Sequence, residues 1–502
     1  MRKGKIGLLR FCLLVSVFSL VAYNLPFLHR LLGHLEGGFN AVLLALSAVL
    51  LLLATCFFGT ALLLFAGRKA GKVLLSFFLT ANAVALYFIN GYDVLITDTM
   101  MGNFFHTQYS EASGFFSAGF AAYVLLLGVL PSVYVCVRRI DYGPWRRFLG
   151  MEASALLLVL ALVFGNMKNW PWIDRHSTEL GALVLPWSYT VNSVRYWQSE
   201  RQRNAREIPL PDPQLCTDTP DVCVLIIGES ARRDHFSLYG YGKETNPYTA
   251  GDSVTVFPAD AAATYTLAGV RAILSPFRSR ELYEILPNYL QRAGVDVSWR
   301  SSNWGEPPVH SGKYYRKKDL KARFPEADER YDGILLAGLR EDIAASDSSK
   351  VFVVLHTYTN HGPAYAGNYP PEFEVFTPVC RTVEMSKAVP EELMNAYDNS
   401  VVYTDYLIHS VIEVLKSLEG RSGCVLYVSD HGESLGENHL YMHGVPMSMA
   451  PREQIEIPFI VWAPDRPTRD LPAVGQYHVF HSVLDFLGVC SETFDKEMSI
   501  FK

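Results

Sequence analysis

The chain has 502 residues, 50% hydrophobic and only 19% charged, with a net charge of -6. That length points to more than one domain. The acidic balance offers no electrostatic footing for nucleic acid, and the concentration of apolar residues in the first third excludes a uniformly soluble chain.

Four charge-free runs open the chain: Phe11 to Leu28, Ala41 to Gly67, Val73 to Tyr92 and Ala112 to Val137. Each is close to or above the roughly 20 apolar residues that cross a bilayer core, so all four read as transmembrane helices. A fifth run, Ala153 to Met167, is shorter, and topology supports it. Arg2, Lys3, Lys5, then Arg68, Lys69, Lys72, then Arg138, Arg139, Arg146 and Arg147 mark cytoplasmic segments, whereas Asp93 to Glu111 holds no Lys or Arg. Four spans would return the chain to the cytoplasm; five place everything after Lys168 outside. No small-residue cleavage site follows the first span, which reads as an anchor and not as a removed signal. In the exterior loop DTMMGNFFHTQYSEASG, Asn103, Thr107 and Glu111 are spaced i, i+4, i+8, one face of a helix. On the residues alone this is an amphipathic interfacial helix.

Residues 168–220 read as a connector. Its Trp170, Trp172, Trp187 and Trp197, with Tyr189 and Tyr196, suit the headgroup layer of a membrane. The stretch Pro209-Leu210-Pro211-Asp212-Pro213 then marks a boundary. The predicted organisation is therefore 1–167 transmembrane, 168–220 connector and 221–502 exterior domain. Five cysteines lie beyond the spans: Cys216, Cys223, Cys380, Cys424 and Cys490. An odd number leaves at least one unpaired, and Cys216 with Cys223 would close a small loop.

From 221 onward the pattern is α/β. Val222 to Ile227, Val351 to Leu355, Cys424 to Val428 and Ile457 to Trp462 read as buried strands. Helical patterns lie between them, at Glu281 to Arg292 and from Pro390 to about Leu418. This alternation predicts a mostly parallel sheet flanked by helices. Sites in such sheets lie beyond the carboxyl ends of the strands. There the sequence sets Glu229 after the first strand, His356 and His361 after the second, and Asp430, His431 and, twelve residues on, His443 after the third. Carboxylates and imidazoles together suit zinc. Each residue alone is unremarkable; their convergence on strand ends of one sheet carries the argument.

The strings SDHGESLGENHLYMHG, GESARRDHFSLYGYGKETNP and HTYTNHGPAYAGNYPPEFEVFTPVC resemble the phosphoethanolamine transferases of Gram-negative inner membranes. These belong to the alkaline-phosphatase/sulfatase superfamily and include enzymes conferring polymyxin resistance. The resemblance covers the whole chain. It implies five transmembrane helices followed by a periplasmic α/β domain of sulfatase type. It also implies transfer of phosphoethanolamine from phosphatidylethanolamine to lipid A, a core sugar or another surface glycan, with release of diacylglycerol. One tightly bound zinc is implied, held by Glu229, Asp430, His431 and a nucleophilic threonine. In ADAAATYTLAGVRAIL the family pattern sets that threonine at Thr264, with Thr266 as runner-up. His361 and His443 match two histidines beside the transferred phosphate; they hold a second zinc, bind the phosphate or move protons, and the sequence leaves these roles open. Asn103, Thr107 and Glu111 match the polar positions of a loop that holds the lipid headgroup, with Glu111 facing the ammonium. A monomer in the bacterial inner membrane, surrounded by membrane lipids, is expected.

Two departures bear on specificity. Ala262 and Ala263 stand where the family has a Cys-Gly pair, and no Cys closely follows Cys380, so fewer disulfides are expected. WRSSNWGEPPVHSG keeps the family's Trp299 and Arg300 but lacks the Ser and Lys that contact substrate in lipid A-modifying members, which leaves the acceptor open. Two other readings stand beside this one: a phosphoglycerol transferase of the same superfamily, and a non-catalytic envelope assembly protein.

Overall fold

A computed structural model of the chain describes residues 4–35, 38–106, 115–203 and 207–502. It divides into two compact units, Met1–Met101 with Phe115–Tyr196, and Gly102–Gly114 with Trp197–Lys502.

The first unit is helical. Among the described residues four helices are long and apolar enough to cross a membrane: Asn40–Ala66, Arg68–Tyr92, Ala118–Val137 and Trp145–Gly165. The pair Leu8–Tyr23 and Leu25–Gly33 meets at 61°, and brings the number to five when taken together as one broken span. The break sits where Pro26 enters, since proline cannot donate to the helix ladder and its ring collides with the preceding turn. The buried Asn24 covers the opened backbone: its amide donates to the carbonyls of Ser19 (2.9 Å) and Leu185 (3.0 Å) and its oxygen accepts from the Leu185 N–H (2.9 Å). The last span is longer than its apolar run, beginning at Trp145. Two further helices, Trp170–Leu183 and Trp187–Arg203, occupy much of the segment read as a connector.

The second unit is built on eight strands, named here in chain order: β1 (Asp221–Gly228), β2 (Thr255–Asp260), β3 (Asp296–Ser301), β4 (Lys313–Arg316), β5 (Lys350–His356), β6 (Ser422–Ser429), β7 (Glu456–Trp462) and β8 (Val474–Gly475). Their order across the sheet is β8-β2-β7-β6-β1-β5-β3-β4. β7 is antiparallel to both of its neighbours and all other pairings are parallel. All four strands expected from sequence are present.

Every residue of β1 is buried, as a strand covered on both faces requires. Cys223, Leu225 and Ile227 pack in one core cluster with Leu286 and Tyr289 of the helix Leu286–Arg292 and with Phe480 and Val483 of the helix His478–Leu487. The long helix Pro390–Lys416 runs against β1 and β6. Two expectations are corrected. The helix expected from Glu281 starts only at Leu286, where Pro287 sits in its first turn and supplies a ready-made helical φ. Cys216 pairs with Cys490, not with Cys223. Cys223 lies inside β1, opposite Cys424 of β6 and buried, so it is out of reach of a small loop.

Candidate metal and phosphoryl-transfer site

The site is assembled at the carboxyl ends of β1, β5 and β6. The chain leaves β1 through Gly228 and Glu229. A Cβ at Gly228 would run into the ring of Tyr427, so glycine is required for the strands to come this close. Glu229 is fully buried. Its Oε1 accepts from the Ser230 hydroxyl (2.9 Å) and its Oε2 from the Asn303 amide (2.7 Å). Asp430 and His431 follow β6, also fully buried. Asp430 Oδ1 accepts from the backbone N–H groups of Ser230 (3.0 Å) and His431 (2.7 Å), whereas Oδ2 has no hydrogen-bond partner.

The His431 tautomer follows from its neighbours. Nδ1 lies 2.8 Å from the Gly432 carbonyl, which can only accept, so Nδ1 carries the proton. The lone pair of Nε2 therefore points at Asp430 Oδ2 (3.3 Å), Glu229 Oε1 (3.4 Å) and Thr266 Oγ1 (3.4 Å). Thr266 Oγ1 is in turn 3.3 Å from Glu229 Oε2. Acceptors thus converge on one point with too few protons among them, an arrangement that costs free energy unless a cation sits there. Burial raises the pKa of Glu229, with Asp430 adding to it, and pushes Asp430 up to about 6. Burial, helped by His443, lowers His431 to about 4, which keeps the imidazole neutral and able to coordinate. Two carboxylates, a neutral imidazole and a hydroxyl form an oxygen–nitrogen donor set of the kind zinc takes.

Thr266 is the first residue of the helix Thr266–Leu274. That helix approaches β6 so closely that a Cβ at Gly269 would collide with the Asp430 carbonyl. Thr264 lies elsewhere. Its hydroxyl donates to the Val445 carbonyl (2.6 Å) and its own carbonyl accepts from the Gly444 N–H (2.8 Å). The geometry reverses the sequence's order of preference: Thr266, not Thr264, faces the carboxylates.

His361 and His443 join the cluster from the far side. Ligand atoms of Glu229, His361 and His443 lie within 4.8 Å of one another, as do those of Glu229, Asp430 and His431. His361 Nδ1 is 2.6 Å from the Gly362 carbonyl, and its ring stacks on Tyr358. The His443 ring centroid is 4.2 Å from that of His431. Its Nδ1 is held by Glu433 Oε2 at 2.8 Å, and Glu433 Oε1 accepts from the Tyr365 hydroxyl (2.6 Å). Burial pushes Glu433 up to about 7.

Glu433 and Asn303 were not singled out from sequence. Glu433 stands two residues after His431 in DHGES, and its place in that string was the available signal. Nothing in the sequence marked Asn303. His356, read as a strand-end ligand, belongs to none of the candidate metal groups among the described residues. Its Nδ1 lies 3.5 Å from Glu306 and 3.4 Å from Ser301. Asn103 lies in the helix Asp98–His106; Thr107 and Glu111 fall outside the described residues. Much of the long motif after Glu229 is scaffold: Asp398 and Asp405 of the helix Pro390–Lys416 bind His235, Lys243, Asn246 and Thr249.

Residues 221–489 match the Sulfatase family and residues 51–201 the family described as Phosphoethanolamine transferase EptA/EptB. The chain is 38% identical to phosphoethanolamine transferase EptA of Helicobacter pylori over 424 residues, 80% of this chain and 79% of that one. It is 31% identical over 510 residues to phosphatidylethanolamine transferase Mcr-1 of Escherichia coli, 94% and 92% of the two chains. The solved structure of the integral membrane lipooligosaccharide phosphoethanolamine transferase A of Neisseria meningitidis superposes with a TM-score of 0.89 at 26% identity, covering 99% of each chain.

Proposed function

Because the chain belongs to the EptA/EptB phosphoethanolamine transferases, with a sulfatase-type domain in the periplasm behind an inner-membrane anchor, we propose a specific reaction at the site described above. It moves phosphoethanolamine from phosphatidylethanolamine to lipid A, or to a sugar of the surface glycan, through a covalent intermediate on Thr266. The observation that carries this reading is the meeting of Thr266 Oγ1 with the Glu229 carboxylate and His431 Nε2 at 3.3 to 3.4 Å, at a helix N-terminus.

Glu229, Asp430, His431 and the Thr266 hydroxyl would hold one zinc; the Glu229, His361 and His443 group offers a second position. Bound there, zinc lowers the pKa of the hydroxyl and offsets charge on phosphoryl oxygens. Thr266 Oγ attacks the lipid phosphorus, the bond from phosphorus to the glycerol oxygen breaks, and diacylglycerol leaves after taking up a proton. His361 or His443 supplies that proton and removes one from the acceptor in the second half. Glu433 orients His443 and balances its charge. The free N–H groups and dipole of the helix Thr266–Leu274 add positive potential where the transferred group collects negative charge. Asn103, Thr107 and Glu111 are proposed to hold the headgroup, with Glu111 at the ammonium, a selection that a phosphoglycerol donor would not need.

Thr266→Ala is expected to end diacylglycerol release from phosphatidylethanolamine in a correctly folded protein. Thr264→Ala should retain most of it, since the change removes one hydrogen bond, worth about 1 kcal/mol. Activity lost in Thr264→Ala and kept in Thr266→Ala would return the nucleophile to Thr264.

A further inference from the structure

Beside the cluster lies a cleft of about 630 Å³, lined on one side by Asn303 and His361, in the size range of small-molecule sites. Its walls do not match the chain's overall acidity. Arg316, Lys317, Lys318 and Arg330 line it, with Glu329 as the acid among them, in a chain of net charge -6. Arg316 ends β4, Lys317 and Lys318 open the helix Lys317–Arg323 that follows it, and Arg330 comes from the loop after that helix. β4 is parallel to β3, which is parallel to β5, so the sheet delivers the basic segment to the same edge as Asn303 and His361. Their charges are incompletely matched. Arg316 is 3.9 Å from Glu306 and Lys317 is 3.7 Å from Asp332. Arg330 is paired with Asp328, and Lys318 has no ion-pair partner among the described residues. Trp304 also lines the cleft, its ring 5.5 Å from that of Tyr358 and 6.5 Å from that of His361. Such a partly exposed indole is a surface on which the apolar face of a sugar ring stacks.

We propose that this cleft is the acceptor subsite and takes a phosphorylated sugar, its phosphate on the cations of residues 316–330 and its ring on Trp304. The inference rests on the transferase reading above and names the second substrate's place in it. In this step an oxygen of the bound phosphate attacks the phosphorus carried by Thr266. The bond from phosphorus to Thr266 Oγ breaks, and Thr266 Oγ regains the proton that the acceptor gives up.

The test uses the full-length protein in detergent with three probes: bisphosphorylated lipid A, lipid A stripped of both phosphates, and inorganic phosphate. Two quantities are read separately, binding to the resting protein and clearance of the phosphoethanolamine adduct. In a Lys318→Gln/Arg330→Gln variant, binding of bisphosphorylated lipid A should weaken about tenfold for each cation removed. The KM for clearance should rise in step while kcat holds. Adduct formation and diacylglycerol release should match wild type, because both side chains lie on the exposed wall of the cleft and leave the core intact. Trp304→Leu should weaken lipid A but not inorganic phosphate. Unchanged lipid A binding in the double variant, or equal binding of stripped lipid A by wild type, would overturn the proposal. If wild type never forms the adduct, the transferase reading fails, and the binding arm still decides the cleft.

Discussion

Thr264 and Thr266 are separated by one residue and have different work. Thr264 is clamped through its hydroxyl and carbonyl to the Gly444–Val445 backbone, so it positions the segment that carries His443. Thr266 opens the helix and faces the carboxylates. Glu433 touches neither Thr266 nor Asp430 among the described contacts, yet it holds His443 Nδ1, the partner relation that orients a ligating or proton-transferring imidazole. Glu433→Gln is therefore expected to lower transfer about 10- to 100-fold while leaving unchanged the metal content proposed for the Glu229, Asp430 and His431 group. Loss of metal content in parallel with activity, measured by elemental analysis, would place Glu433 inside the primary donor set instead. Sequence reading found most of this site because its residues stand at strand ends in long strings. Asn303 was not among them, since its place comes from β3 lying beside β5, and Thr264 stood ahead of Thr266 because linear spacing does not say which hydroxyl is already used by the backbone.

At the scale of elements, β1 and β6 end by delivering Glu229 and Asp430 into a fully buried place. A carboxyl raised above its ordinary value favours the protonated fold: Asp430, at about 6 against an ordinary 3.8, contributes stability below about pH 4 that is lost as pH rises through 6. Metal binding needs the ionised form. His431, at about 4, loses its proton at the lower end of that window, a change in the same direction as the metal's demand. The gain in melting temperature on adding zinc to chelator-stripped protein should therefore grow from about pH 4.5 to pH 7 and flatten above. A gain that is constant across that range would show that these buried acids do not hold the ion. The strands themselves were legible from short apolar runs. The late start of the helix Leu286–Arg292 and the Cys216–Cys490 pairing were not, since one depends on where a proline falls and the other joins residues 274 positions apart.

At the scale of the whole molecule, an apolar helical unit precedes a mostly parallel sheet whose carboxyl edge carries both the metal-type donor cluster and the basic cleft. A lipid donor and an amphipathic acceptor both suit a chain that carries a membrane anchor as well as a periplasmic domain. The five-span reading was legible because bilayer thickness sets a length on apolar runs, although the first span's break at Asn24 depends on Pro26 and on a side-chain contact to Leu185 that no periodicity shows. In the reaction proposed above, Thr266 carries the transferred group. Incubating the purified full-length protein with phosphatidylethanolamine, without acceptor, and mapping the product by peptide mass spectrometry tests it directly. The expected product is a phosphoethanolamine adduct on Thr266 with diacylglycerol released in equal amount; an adduct on Thr264, or diacylglycerol released with no adduct on either threonine, would rule out Thr266 as the carrier.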